Sequence, residues 1–463
     1  MSNPTVTDGL LYGQDFHRLR SAHLQKGSLF TDPKFPPGPC SLSYSGSSDL
    51  TGARWLRPGQ LHPRPRLVVR GTDRNDVNQG SLGNCWFLCA LAGLAESHPS
   101  LLERVVPRDQ GFSEAEYAGI FHFLFWQYGQ WVEVVVDDLL PTRDGRLMYV
   151  TSDDGGEMWP CLLEKAYAKL HGSYQHLEGG WPVTAMVDLT GGFPEIYNTR
   201  EYQPLSVLDG DLFVVMDEAR RPPRSLVCTA TMLTSYESLG ILGQHAYTVM
   251  EVREAARGAQ RLVRLRNPWG SWQEWRGAWS KGSMELARLS ASRRAEMATT
   301  EGEWWMAYSD FLRVFTSLSL CHPLTDGSIG VLQGEWDGTE IGLLDNPQYL
   351  VKVTTAGLLR AALSQRGRRQ LRDELGAENT DLPIRLILLK RRRRRPGDQR
   401  PSVSTPGQMV AESLGAAGRT VTLRARVETG NYILLPSVQR GASVAYCLRL
   451  VVQGGAARVS QHK

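Results

Sequence analysis

The stretch QGSLGNCWFLCALAGLAES, Gln79 to Ser97, passes abruptly from glycines and a polar pair into an apolar run with helical spacing. Such a run has to pack inside a core, with Trp86, Leu88, Ala92 and Leu94 as core positions, and its polar entry has to lie at the edge of that core. Asn84 is a good N-cap, which places Cys85 in the first helical turn. There a thiol faces the positive end of a helix. With an imidazolium beside it, that field favours thiolate and draws the pKa below its free value of about 8.5. A cysteine at this junction could also pack as a small hydrophobe, the reading that suits Cys89 one turn later.

The chain has 463 residues, enough for two to four domains at roughly 100 to 200 residues each. The N-terminus lacks a basic segment followed by an apolar one, and no apolar run is long enough to span a membrane. Seven scattered cysteines without paired CxxC units suit a reducing compartment, so a cytoplasmic protein is expected. The net charge of +4 is local in origin: Arg360–Arg395 holds twelve Lys/Arg against four Asp/Glu, which leaves the rest of the chain at 4 − 8 = −4.

FTDPKFPPGP and SLSYSGSSDLTG read as loops of an arm laid over a domain. GIFHFLFWQY and QWVEVVVDDLLP read as strands joined at Gly129, and WPCLLEKAYAKLHGSY as a helix. Past a break at Gly191-Gly192, LVCTATML, AYTVMEVRE and RLVRLRNPW read as strands of a second unit. From Gly334 on, short β-type runs such as PQYLVKVTT, LPIRLILLK and AYCLRLVVQ suggest a sandwich.

Thiolate chemistry on an amide needs a base and a group to orient it. His245 opens a strand after a glycine turn, and Asn267 ends another, so adjacent strands could present the two side by side. An amide oxygen accepting from imidazole fixes its tautomer without adding a full charge. Transglutaminase-like acyl transfer shares the Cys–His logic but generally uses an aspartate, and Asn267 argues against it.

QGSLGNCWFL, GQHAYTV and RLRNPWGSWQEWRGAWS, in that order and spacing, resemble the active-site blocks of the calpain cysteine proteases, and FHFLFWQYGQWVEVVVDDLLP and LLEKAYAKLHGSY resemble the framework between them. The resemblance runs from about Phe16 to Val452. It implies an α+β fold, a two-lobed papain-like cysteine protease core followed by a calpain-type β-sandwich. The implied division is an N-terminal arm (1–15), a first lobe with the nucleophile (16–191), a second lobe with His and Asn (192–325) and the sandwich (326–463). It implies Cys85 as nucleophile, His245 as base and then acid, Asn267 as orienting group, Gln79 as oxyanion donor, and Trp269 as a shield over the His245–Asn267 hydrogen bond.

The implied function is a calcium-regulated intracellular endopeptidase acting on protein substrates, the alternative being a catalytically weak scaffold acting through its basic sandwich. For Ca2+, the first-lobe ligands would be the carbonyls of Val69 and Gly71 with Asp76 and Glu157, and the second-lobe ligands Glu274, the Thr299 carbonyl, Glu301 and Glu303. Lys281 stands where the family generally has an aspartate, and an ammonium there would repel the metal, so either the site binds weakly, the outcome expected, or Lys281 partly substitutes for the ion by pairing with the glutamates. Asn84 likewise replaces an aspartate and Gln244 a glycine, and the sandwich lacks the family's acidic loop. No DxDxDG loop follows, so no EF-hand-mediated subunit pairing is expected. The basic run Lys390, Arg391, Arg392, Arg393, Arg394 and Arg395 could meet an anionic membrane surface, and nucleic acid is not expected for want of interleaved aromatics.

Overall fold

The computed structural model describes residues 6–43, 52–69, 71–202, 211–255, 260–270, 273–323, 330–339, 342, 345–365, 382–391, 408–413, 416–417, 419–438 and 443–462. Of the basic run, Lys390 and Arg391 fall within these bounds and Arg392–Arg395 outside them. Two compact units result. One holds residues 1–126, 131–190 and 196–323, the other 127–130, 191–195 and 324–463.

Four helices and seven strands set the frame of the first unit. They are α1 (Phe16–Lys26), α2 (Cys85–Ser97), α3 (Trp159–His171) and α4 (Pro182–Thr190), with β1 (Ile120–Gln127), β2 (Gln130–Asp137), β3 (Leu226–Thr231), β4 (His245–Ala255), β5 (Gln260–Arg266), β6 (Glu303–Ala307) and β7 (Ser317–His322). β1 and β2 form the expected hairpin, turning at Tyr128 and Gly129, both at positive φ (47° and 91°), the backbone that a two-residue turn between twisted strands needs. The helix α1 precedes the two stretches read as loops. Its N-cap Asp15 accepts from Arg18 N–H and Gly27 closes it at φ 61°.

Ten of the residues of α2 are buried, including Trp86, Leu88, Ala92 and Leu94, and Cys89 is fully enclosed as expected. An element apolar on all sides requires packing partners on all sides. The first hydrophobic core meets that need, joining α2 to α3, α4, β1 and β2, and reaching Leu226, Cys228 and Ala246 of the neighbouring sheet. In that sheet β6, β5, β4, β3 and β7 lie in this order, all antiparallel. A second core around Tyr247, Val249, Leu265, Trp304 and Phe311 covers its other part. The Thr248 hydroxyl of β4 donates to the Cys89 carbonyl at 2.8 Å, tying helix to sheet.

The second unit contains two antiparallel sheets. Its strands are β8 (Gly330–Asp337), β9 (Gln348–Thr355), β10 (Gly357–Gln365), β11 (Pro383–Lys390), β12 (Gln408–Glu412), β13 (Thr420–Val427), β14 (Gly430–Val438), β15 (Ser443–Gln453) and β16 (Ala456–His462). One sheet runs β8-β15-β10-β13, the other β12-β11-β14-β9-β16. Their inner faces share one core in which Trp336 packs on Tyr446, and Tyr446 hydrogen-bonds Tyr349 hydroxyl to hydroxyl at 2.8 Å.

Candidate active site and calcium ligands

Cys85 is the first residue of α2, and Asn84 precedes it at the N-cap position. The Asn84 side chain does not cap the helix, contrary to expectation. Its Nδ2 donates to Glu164 Oε1 of α3 at 2.7 Å, and Glu164 Oε2 accepts from Val150 N–H at 3.1 Å. A buried carboxylate has thus taken the asparagine away from the helix end, and Asn84 Oδ1 is left buried without a partner. Only the Asn84 carbonyl serves the helix, accepting from Phe87 and Leu88. Burial also pushes Glu164 up to about 7.

The Cys85 thiol is not depressed as its helix position suggests. Burial, aided by the neighbouring Cys89, pushes it up to about 11, while the N–H groups of Ala246, Trp86 and Cys85 itself act in the opposite direction. The helix-end donors are therefore present, and desolvation outweighs them. Ala246 is the neighbour of His245 in β4, so the sulfur lies beside the start of that strand. The sulfur and the imidazole share no hydrogen bond.

His245 and Asn267 meet as expected. β4 and β5 pair with Thr248 opposite Arg266, which brings the first residue of one strand next to the residue just past the end of the other. His245 Nε2 is 2.8 Å from Asn267 Oδ1, and Asn267 Nδ2 donates to the Gln273 carbonyl at 3.2 Å, so the amide is oriented from both ends. Because Nε2 faces an oxygen, it carries the proton, and Nδ1 is the nitrogen left to act as a base. Burial draws His245 down to about 4. Trp269 stands edge-on to the imidazole, ring centroids 5.2 Å apart, and is 40% exposed, which leaves one face to solvent. Gln79 Nε2 donates one of its two hydrogens to the Leu82 carbonyl at 2.6 Å, and its backbone N–H donates to the Pro268 carbonyl at 2.9 Å. A polar cavity of about 620 Å3 lies beside it, bordered by Asn75, Asp153, Arg266, Trp269 and Glu301.

Asp76 and Glu157 are near enough to influence each other's titration. Burial first, and then the facing Asp76, push Glu157 up to about 7, and Asp76 is raised as well. Glu157 accepts from Val69 N–H at 2.7 Å and from the Ser152 hydroxyl at 2.8 Å, which holds it against the segment that carries the Val69 and Gly71 carbonyls. Two crowded carboxylates beside a loop rich in carbonyls are the donor set a calcium ion suits. Among the described residues no three His, Cys, Asp or Glu side chains are grouped closely enough to hold a metal, so backbone oxygens would have to complete the shell.

Of the second set, Glu274 is the member that lies against Lys281. Lys281 Nζ lies 2.7 Å from Glu274 Oε1 and 2.9 Å from the Thr300 carbonyl, and Gly302 N–H donates to the same Glu274 oxygen at 2.7 Å. Glu301 is exposed and borders the cavity beside Gln79. Glu303 is fully buried and its Oε1 is 2.6 Å from Arg74 Nε and 3.8 Å from Arg266 Nη1. Arg74 also pairs with Glu96, and Arg266 donates to the Arg74 carbonyl at 3.0 Å and to Asn75 Oδ1 at 3.2 Å. Sequence reasoning missed Arg74, Arg266 and Glu164. Arg74, two residues before Asp76, and Arg266, just before Asn267, carried a positional signal, whereas Glu164 was hidden in a helical pattern.

A family profile described as "Calpain family cysteine protease" matches residues 30–322. Calpain-8 of Rattus norvegicus is 36% identical over 95% of this chain and 68% of its own length. The Calpain-2 catalytic subunit of Gallus gallus is 41% identical over 74% of this chain and 52% of its own. Calpain-A of Drosophila melanogaster is 35% identical over 92% and 55%. The chain therefore spans about half to two thirds of these relatives.

Proposed function

Since the chain belongs to the calpain family of cysteine proteases, we propose that it is a calcium-regulated endopeptidase that makes limited cuts in protein substrates. The observation that carries this reading is the 2.8 Å His245–Asn267 hydrogen bond at paired strand ends, with the Cys85 sulfur beside Ala246 at the start of the same strand.

The chemistry begins with a proton leaving Cys85 for His245 Nδ1. At about 11 and about 4 both groups are neutral in the arrangement described, so the ion pair forms only when the imidazole closes on the sulfur. The thiolate then adds to the scissile carbonyl. The Cys85 N–H, and the Gln79 amide once it leaves the Leu82 carbonyl, stabilise the oxyanion, each donor of this kind contributing about 3 kcal/mol. The imidazolium protonates the departing amine, leaving a thioester on Cys85. His245 next deprotonates a water that attacks the thioester, and the thiol is restored. Trp269 keeps bulk water off the His245–Asn267 bond from one side.

Calcium held by Asp76 and Glu157 with the Val69 and Gly71 carbonyls would neutralise two crowded carboxylates on the segment that leads to Gln79 and Cys85. Misplacement by about 1 Å can cost a hundredfold in rate, so ordering that segment is sufficient to switch activity. The test is covalent labelling with an epoxide cysteine-protease probe, with and without calcium, against Cys85→Ser. Calcium-dependent labelling of Cys85 is expected. Absence of labelling under both conditions would favour the scaffold, and labelling indifferent to calcium would remove the switch.

A further inference from the structure

We propose that the Lys281 ammonium is the resident cation between Glu274 and the Thr300 carbonyl, so that this chain takes up calcium beside Asp76 and Glu157 but not at Glu274, Glu301 and Glu303. The proposal rests on the calcium reading above only for the first of these statements.

Lys281 occupies the place from which a cation would serve Glu274. It bridges a carboxylate of one loop, Glu274 Oε1 at 2.7 Å, and a carbonyl of another, Thr300 at 2.9 Å. Bridging oxygens from separate loops is the structural work of a calcium ion. An ammonium offers three donors on a flexible stem, and two are engaged here. The Glu274 oxygen that a metal would take is used twice, by Lys281 and by Gly302 N–H at 2.7 Å. Glu303 Oε1 already serves Arg74 and stands 3.8 Å from Arg266. A divalent ion entering here would meet an ammonium at the distance of a direct ligand, with repulsion twice that between two single charges.

The Glu274 carboxylate nonetheless keeps room beside it for a metal once the ammonium is replaced by an acid. A cavity of about 530 Å3 opens along Glu274, Ser280 and Lys281, and Glu303 Oε2, three residues past Thr300, is buried without a hydrogen-bond partner. Lys281 therefore supplies a fixed charge where an exchangeable one could act. The turn that carries Thr300 and Glu303, and through Glu303 the contact to Arg74, is then held at every calcium concentration.

Calcium titration calorimetry on the full chain, in a Cys85→Ser background to prevent self-cleavage, tests this directly. The parent should bind one ion, and Asp76→Asn should bind none. Adding Lys281→Asp to the Asp76→Asn protein should restore one event, tighter by about tenfold or more than any residual binding, and Glu274→Gln should remove it. Calcium binding by the Asp76→Asn protein that Glu274→Gln abolishes would overturn the proposal, and so would a Lys281→Asp protein that gains no event. Should Lys281→Asp not fold, Lys281→Gln decides by thermal melting. A midpoint that falls in chelator and recovers with calcium supports the proposal, and one that responds to neither overturns it. A parent that binds no calcium would sink the Asp76–Glu157 reading instead, while the gain on Lys281→Asp would still decide this one.

Discussion

At the scale of single residues, the Cys85–His245 pair and the Glu164 carboxylate are both governed by burial. With the thiol at about 11 and the imidazole at about 4, both are neutral through the physiological range until they touch. Calcium-free alkylation of Cys85 should therefore climb about tenfold per pH unit between roughly pH 6 and 9, with no plateau, because it follows the small thiolate fraction. Calcium should produce a plateau that begins near or below neutrality, and a plateau in calcium-free protein would show that the ion pair already exists. Glu164 titrates in the opposite sense to a salt-bridged acid. Its pKa rises from 4.5 to about 7 on burial, so the folded state holds the extra proton and stability falls as pH climbs through that window, by about 3 kcal/mol in all. Glu164→Gln should remove the Glu164 share of this slope, leaving that of Glu157, and still fold, because Asn84 can turn over and offer its unpartnered Oδ1 to the new amide while the remaining oxygen keeps Val150 N–H. Glu164→Ala should lose about 1–3 kcal/mol for each donor left without a partner. Denaturant melts at pH 5 and 7.5 read both effects.

The turn into β4 shows what an element asks of the residue before it. Gln244 sits at φ 51°, in the left-handed region where a side chain costs about 1–2 kcal/mol, immediately before the His245 imidazole. Gln244→Val, with a branched Cβ, should lower stability by a further 1 kcal/mol or so and disturb His245. Gln244→Gly should leave stability within about 1 kcal/mol, since relief of strain opposes the added chain entropy. Circular-dichroism melts of the two variants would decide it, and equal behaviour would deny the strain. The position was legible in the sequence as a departure from glycine, but the conformation was not. The same division holds more widely. Apolar periodicity and turn residues located α2, the β1–β2 hairpin, α3, β4 and β5, because burial on a regular element leaves a repeating trace. α1 and β10 escaped because the first is only weakly amphipathic and the second runs on into a polar, arginine-rich stretch. Within the site, His245 beside Asn267 followed from strand ends. The Asn84–Glu164 bond did not, since it joins residues 80 positions apart through a buried acid whose local sequence reads as ordinary helix.

Across the whole first unit, one ion-pair cluster gathers residues otherwise distant in the chain. Arg74 joins Glu303 at 2.6 Å and Glu96, and Arg266 fastens the Arg74 carbonyl and Asn75, so the segment carrying Asp76 is tied to the turn that opens β6. Glu303 is wholly enclosed and Arg74 largely so, and removing one member of such a pair strands a buried charge at a cost of about 3–5 kcal/mol. Arg74→Met should therefore destabilise by roughly that amount. The double variant Arg74→Met, Glu303→Leu should recover part of the loss, because it removes the carboxylate that lost Arg74 but also takes the counter-charge from the buried Arg266, 3.8 Å away. Stability and switching then separate. In the double variant the Asp76 segment no longer grips the turn before β6, so calcium binding at Asp76 and Glu157 should proceed while its effect on Cys85 labelling falls toward the calcium-free rate. Calorimetry would confirm the binding and the epoxide probe would follow the labelling. A double variant that binds calcium and still labels at the parent rate would show that the signal from Asp76 reaches Cys85 along the short segment through Gln79 alone, with no need of the charge cluster.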